Sequence, residues 1–232
     1  MIINTPAIVL KSIAYGETSI ISRCFSMKSG KISLIVKGAK SKKRSKVSYF
    51  QPLSYIDIMY NKKRNTNLYL VSNVSFIESW QNIFNNIRLL SLSMTILEIT
   101  EKSIIDEDPH PELFQILKNV LKAYNNNPNN PNLLFWFYEC SLLTHLGFKP
   151  SLEKGYLPGV KLPDPYGGPK SGMILEGLIE KKIDQFFEVK ISKEDNKIVS
   201  NYLWILLCYH FEGLHKIKSI EITKQLLKKK LF

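Results

Sequence analysis

Ser29-Gly-Lys-Ile-Ser-Leu-Ile-Val-Lys37 decides the fold. Ser29-Gly30 makes a tight turn, and Ile32, Leu34 and Val36 then alternate with Ser33, Ile35 and Lys37. Period-two alternation buries one face of a strand and leaves the other partly wet. Upstream, residues 7–13 and 18–27 are rich in β-branched side chains and flank the turn-like Tyr15-Gly16-Glu17. Downstream, residues 38–48 read as a polar loop and 49–60 as a fourth strand, bent at Pro52, with Ile56 and Ile58 on one face. Asn61-Lys-Lys-Arg-Asn65 turns the chain into a fifth strand over 67–76. Five short strands without a strong helix among them predict a small closed barrel rather than a βαβ unit.

Beyond Trp80 the period changes. Residues 83–102 place Ile87, Leu90, Met94 and Leu97 at helical spacing. Asp106-Glu-Asp-Pro-His-Pro-Glu112 precedes a second helix to about Tyr124, its acids and prolines suited to a helix start. A third helix is expected over 132–146, ended by Gly147. Residues 149–180 are Gly/Pro-rich and read as irregular, and helices follow over 197–211 and 219–230. The expected architecture is α+β: a five-stranded barrel over 1–80, then an all-helical domain over 81–232.

Charge separates the same two regions. The 232 residues carry a formal +12, yet residues 1–80 hold 13 Lys+Arg against three acids, a net +10. No acid stands between Glu17 and Asp57, where there are nine bases. A field of one sign attracts polyanions, of which nucleic acid is the commonest. The composition, 44% hydrophobic and 22% charged, is that of a folded globular chain and excludes disorder. Three cysteines exclude a disulfide scaffold. The most apolar run, 198–211, falls short of the roughly 18 residues a spanning helix needs. The first residues lack the charged and apolar regions of a signal peptide, so a cytoplasmic location is expected.

Lys37-Gly-Ala-Lys-Ser-Lys-Lys-Arg-Ser-Lys46 is the strongest local signal, six bases in ten residues between two strands. Lys37, Lys40, Lys42, Lys43, Arg44 and Lys46 suit phosphates, with Lys62, Lys63 and Arg64 on an adjacent loop and Lys11 and Arg23 on the strands. Tyr49, Phe50 and Tyr60 supply rings on which unpaired bases can stack. The rival account is a solvated loop with the aromatics in the core.

Other chemistry is poorly supported. Cys24, Cys140 and Cys208 are scattered, with no paired ligand spacing, and read as buried thiols. His110 beside Asp106 and Asp108 could ligate a cation, but helix-capping acids explain the same residues. Cys140 and His145 face different sides of a helix, whereas Cys208, Glu212 and His215 share one line that Gly213 interrupts. Tyr166-Gly-Gly-Pro169 lacks the Lys-Ser/Thr of a phosphate loop. Two rival functions therefore stay open: an RNA-binding barrel protein of translation, and a hydrolase built on Cys208 and His215.

Ala7-Ile-Val-Leu-Lys11, Tyr15-Gly-Glu17, Ser29-Gly-Lys-Ile-Ser33, Lys37-Gly-Ala39, the basic loop with Ser45, and Gln51-Pro-Leu53 occur in the order seen in the RecO family of bacterial DNA repair and recombination mediators. Leu146-Gly-Phe148 with Pro150, and Lys218-Ser219, resemble that family's helical domain. The resemblance implies an N-terminal OB-fold barrel, binding to single- and double-stranded DNA, strand annealing, and help in loading recombinase onto gapped DNA. It implies the partners RecR and single-stranded-DNA-binding protein, whose acidic C-terminal tail would meet Lys216 and Lys218. A cytoplasmic, nucleoid-associated, non-enzymatic protein is expected. Many members carry four zinc-binding cysteines in the stretch corresponding to 149–180, which has none here. No metal or other cofactor is therefore carried over.

Overall fold

The computed structural model of the chain describes residues 1–41, 45–153, 157 and 159–217. These residues form two compact units, 1–125 and 126–217.

In the first unit, β1 (Ile2–Tyr15), β2 (Ser19–Ser26), β3 (Gly30–Val36), β4 (Tyr55–Asn61) and β5 (Leu68–Glu78) close into a barrel in the order β1-β2-β3-β5-β4. β3 and β5 run parallel and the other neighbours antiparallel. This is the small closed five-stranded barrel that the strand pattern predicts, and it is the OB-fold that the resemblance implies. Ile32, Leu34 and Val36 point into the core with Ala7, Val9, Cys24, Ile56 and Ile58, and removal of that apolar surface from water is the main force holding the barrel.

Two strand boundaries differ from expectation by more than two residues, each for a structural reason. β1 starts at Ile2 rather than at 7, because its first half is paired to β4 from Ile2↔Asn61 to Ile8↔Tyr55 while its second half continues along β2. One strand serving two neighbours is what closes the ring, and pairing partners are not visible in a local window. β4 starts at Tyr55 rather than at 49. Val47–Phe50 form a 3₁₀ turn, Pro52 lacks an N–H, and Leu53 takes a left-handed φ of 73°, so extended backbone resumes only after it.

The helix expected over 83–102 is two: α1 (Gln81–Phe84) and α2 (Ile87–Ser103). Asn86 makes the break, its side chain accepting the N–H groups of Arg88 and Leu89 at 3.1 and 3.3 Å as the N-cap of α2. α3 (Pro111–Asn125) follows, with Pro111 at its first position. These helices belong to the same unit as the barrel. Phe114 of α3 meets Phe25 edge-on at 5.6 Å, and Trp80 stacks on Tyr55 at 5.8 Å.

The second unit contains α4 (Pro131–His145), α5 (Ser171–Ile179) and α6 (Lys193–His210). α4 ends as expected: Gly147 adopts φ +90°, its N–H donates to Thr144 O, and the Phe148 N–H donates to Leu143 O. α5 corrects the expectation that 149–180 is irregular throughout. Its two glycines lower helix propensity but admit aromatic rings. A Cβ on Gly172 would stand 2.2 Å from Tyr166, and one on Gly177 2.2 Å from Phe186. α6 starts at 193 rather than 197 because Ser192 and Asp195 form a capping box. The Asp195 carboxyl is buried, which opposes ionisation. Hydrogen bonds from Ser192 and the Lys170 N–H outweigh that and hold its pKa below the usual range. The helix expected over 219–230 lies outside the described residues.

Candidate nucleic-acid interface

The basic loop leaves β3 at Lys37, turns at Gly38 with φ +66°, and sinks Ala39 into the barrel core. Lys40 N–H donates to Thr18 O at 2.9 Å and Lys46 N–H to Ala39 O at 2.8 Å, so both flanks of the loop are fastened to the barrel. Lys37 and Lys40 are exposed and Lys46 is half-buried. Lys42, Lys43 and Arg44, expected to hold phosphates, lie outside the described residues. Lys63 and Arg64 are exposed in the turn between β4 and β5. Among the described residues, none of these five cations (Lys37, Lys40, Lys46, Lys63, Arg64) takes part in an ion pair.

The aromatic assignments divide. Phe50 is 1% and Tyr60 0% exposed, so both are core residues and neither offers a face to a base. Tyr60 OH donates to Ser29 Oγ at 2.8 Å, and its ring stacks on Tyr69 at 5.4 Å. Strand alternation accounts for Tyr60, which continues the inward face of Ile56 and Ile58. Tyr49 stays half-buried at the surface, stacked at 4.4 Å and 24° on Phe76, which is 47% exposed. The pair forms an aromatic ledge three residues from Lys46. Phe76 was missed from sequence because its partner lies across a loop.

Three acids from the α2–α3 region take up the strand cations and Lys62, which follows β4. Arg23 donates Nη1 to Asp106 Oδ2 at 2.9 Å and Nη2 to Asp106 Oδ1 at 2.7 Å, and Nη1 also to Ser33 Oγ at 2.7 Å. Lys31, whose side chain is 8% exposed, lies 3.2 Å from the same carboxylate and donates to Glu101 O at 2.6 Å. Lys11 pairs with Glu101 at 2.9 Å and Lys62 with Glu107 at 2.6 Å. Glu107 also accepts from Tyr69 OH. Burial and that carboxylate push the Tyr69 phenol up to about 12. Hydrogen bonds from Lys62 and Tyr69 hold the Glu107 carboxyl below its ordinary value. Partial burial alone would raise Asp106, but hydrogen bonds from Arg23 and Lys31 overcome it and hold its carboxyl low as well.

This corrects one expectation. The acids of 106–108 are not merely helix-capping groups, since Asp106 and Glu107 reach back to the barrel. Lys11, Arg23 and Lys62 each meet a carboxylate, which sets them apart from the loop bases among the described residues. Gly30 makes the approach possible: it has φ +65°, and a Cβ there would stand 2.0 Å from Asp108 O. The densest acidic run of the chain, opposite nine unopposed bases, was the available sequence signal.

Among the described residues, no group of three His, Cys, Asp or Glu could hold a metal ion. His110 Nε2 contacts Asp108 Oδ2 at 3.1 Å. Cys24 and Cys140 are buried, and desolvation pushes both thiols up to about 12. Cys208 is half-buried in α6. That helix stops at His210 and Gly213 takes φ +83°, so Cys208, Glu212 and His215 do not form one helical line. In the second unit Lys216 is exposed on a 3₁₀ turn, Leu214–Lys216, while Lys218 lies outside the described residues. No helix among the described residues is long and apolar enough to cross a membrane.

A closed five-stranded barrel followed in the chain by helices defines the class: an OB-fold barrel protein with a helical C-terminal part. Residues 1–80 match the family model for the N terminus of recombination protein O, and residues 85–186 match that for its C terminus. The chain belongs to the RecO family of DNA repair proteins. It is 27% identical over 239 residues to the DNA repair protein RecO of Flavobacterium psychrophilum, covering 97% of this chain and 99% of that protein. Against the RecO of Halalkalibacterium halodurans it is 27% identical over 225 residues, 95% of this chain and 84% of the other. Against that of Salinibacter ruber it is 28% identical over 153 residues, 66% of this chain and 59% of the other.

Proposed function

We propose that the chain is a non-enzymatic recombination mediator that binds single- and double-stranded DNA through the loop cations of its barrel. The observation that carries this is the division among its bases. Lys11, Arg23 and Lys31 on the strands and Lys62 just after β4 are neutralised by Glu101, Asp106 and Glu107, whereas Lys37, Lys40, Lys46, Lys63 and Arg64 have no carboxylate partner among the described residues. Lys42, Lys43 and Arg44 belong to the same loop by sequence. Bringing two polyanionic strands onto one cationic surface lowers their repulsion and favours annealing. Tyr49 with Phe76 supplies the ledge for an unpaired base.

In this reading the protein works in the cytoplasm, at the nucleoid, with RecR and single-stranded-DNA-binding protein to load recombinase onto gapped DNA. The exposed Lys216, with Lys218, is the proposed contact for that protein's acidic tail. Fluorescence anisotropy with labelled oligo-dT tests the DNA site. Four to six phosphate contacts give a log–log salt slope of roughly −3 to −4 for a single strand. Replacing Lys42, Lys43 and Arg44 by Ala flattens the slope and weakens binding to all sequences alike. Unchanged binding refutes the loop as the site, and stronger binding to RNA of the same sequence favours the translation-associated alternative.

A further inference from the structure

Arg23 and its surroundings have the form of an anion receptor with an internal occupant. In register across the outer face of the barrel stand Lys11↔Arg23↔Ser33↔Leu68. Ser33 Oγ accepts from Arg23 Nη1 at 2.7 Å and so orients the guanidinium, while the largely buried Lys31 fixes a second positive charge 3.2 Å from the bound carboxylate. The planar guanidinium fork matches carboxylate and phosphate equally well.

The occupant does not use the whole receptor. Arg23 Nε is buried and has no hydrogen-bond partner among the described residues, standing 3.6 Å from Glu101 Oε1. A carboxylate presents two oxygens, and Asp106 commits both to the Nη groups. A phosphate diester carries the same charge and, with its ester oxygens, more acceptors. Asp106 is also the more exposed member of the pair, at 42% of its side chain against 22% for Arg23. It lies between α2 and α3, whereas the cations lie on strands. Beside this row runs a second, Ile13↔Ile21↔Ile35↔Leu70, whose end members are 57% and 42% exposed. An apolar strip next to a phosphate receptor is a surface on which bases can lie.

We propose that Arg23, Lys31 and Ser33 form an oxyanion cradle in which the Asp106 carboxylate stands in for a backbone phosphate of single-stranded DNA and yields to it on binding. The proposal rests on the DNA-binding reading given above. Exchange of one anion for another keeps Arg23 and Lys31 paired throughout, so the strap lowers DNA affinity without abolishing it.

Anisotropy titrations of the full-length chain with labelled oligo-dT over a range of salt test this. Asp106→Asn binds roughly three- to tenfold more tightly at low salt, the size of one charge-assisted contact released from competition. Its salt slope stays close to that of the wild type, because both complexes hold the same number of phosphates. Asp106→Glu behaves as wild type, and adding Arg23→Gln to Asp106→Asn removes the gain. Wild-type affinity in a folded Asp106→Asn protein overturns the cradle. A second reading uses the wild type alone: the side-chain ¹⁵N resonances of Arg23 shift on saturation with oligo-dT, and unmoved resonances overturn the proposal even where Asp106→Asn fails to fold. If wild type binds, the loop triple variant loses binding and Asp106→Asn changes nothing, only the cradle fails. If wild type does not bind oligo-dT, the DNA-binding reading and the cradle fail together.

Discussion

Arg23 and Asp106, 83 positions apart in sequence, meet through two hydrogen bonds of 2.9 and 2.7 Å. The contact joins a barrel strand to the segment between two helices and, with the Phe25–Phe114 and Tyr55–Trp80 ring contacts, ties the barrel to the region that follows it. It also gives the barrel two populations of cations, one held internally and one without carboxylate partners.

Acid should loosen this contact. Asp106 and Glu107 have folded pKa values below the ordinary carboxylate values of about 3.9 and 4.3. The unfolded chain therefore binds more protons than the folded one in that range. The stability they contribute is complete above the ordinary values and is lost as pH falls through the lowered ones. Melting temperature attributable to these groups is expected to hold between about pH 5 and 7 and to fall below about pH 4. An Asp106→Asn/Glu107→Gln variant starts lower at neutral pH and falls less steeply.

Gly30→Ala is expected to destabilise the first unit by about 2–4 kcal/mol, combining backbone strain with a collision. The added methyl would stand 2.0 Å from Asp108 O, which is backbone and cannot rotate aside. Gly38 has the same sign of φ but open space around its Cβ position, so Gly38→Ala costs only about 1–2 kcal/mol. Urea unfolding of the two variants separates the contributions.

Neighbouring aromatics should respond oppositely. Phe50→Ala removes a core ring and costs about 3–5 kcal/mol in denaturant unfolding. Tyr49→Ala leaves the core ring in place but removes half of the ledge with Phe76, weakening oligo-dT binding by about 1–3 kcal/mol. Equal effects of Tyr49→Ala and Phe50→Ala on binding per unit of lost stability would remove Tyr49 from the interface.

A helix-interior Gly→Ala change ordinarily stabilises by about 1 kcal/mol. In α5 the sign should reverse at Gly177, where a Cβ would stand 2.2 Å from the Phe186 ring. Thermal unfolding of Gly177→Ala is expected to show a lower melting temperature than wild type.

The barrel was legible because half-buried strands write their pleat into the sequence: Ile32, Leu34 and Val36 could occupy only one face. Helix interruptions were less so. Asn86 looks like any other polar residue until its side chain is seen capping α2, and the two glycines of α5 disguise a helix whose neighbours are rings from elsewhere. The basic loop was visible as composition. Which of the other bases were already engaged was not, because Glu101, Asp106 and Glu107 reach them across the fold. Tyr60 shows the same limit: a tyrosine beside lysines looked like a stacking ring, and its strand parity put it inside.

The hydrogen-bonding circuit of the five strands returns on itself. Where a strand is paired on both sides, as β2 is to β1 and β3, it offers no selvedge to which another chain's backbone could be stitched. Recognition along such strands must then be written in their protruding groups, so a few surface substitutions could redirect what they bind while the architecture stayed untouched.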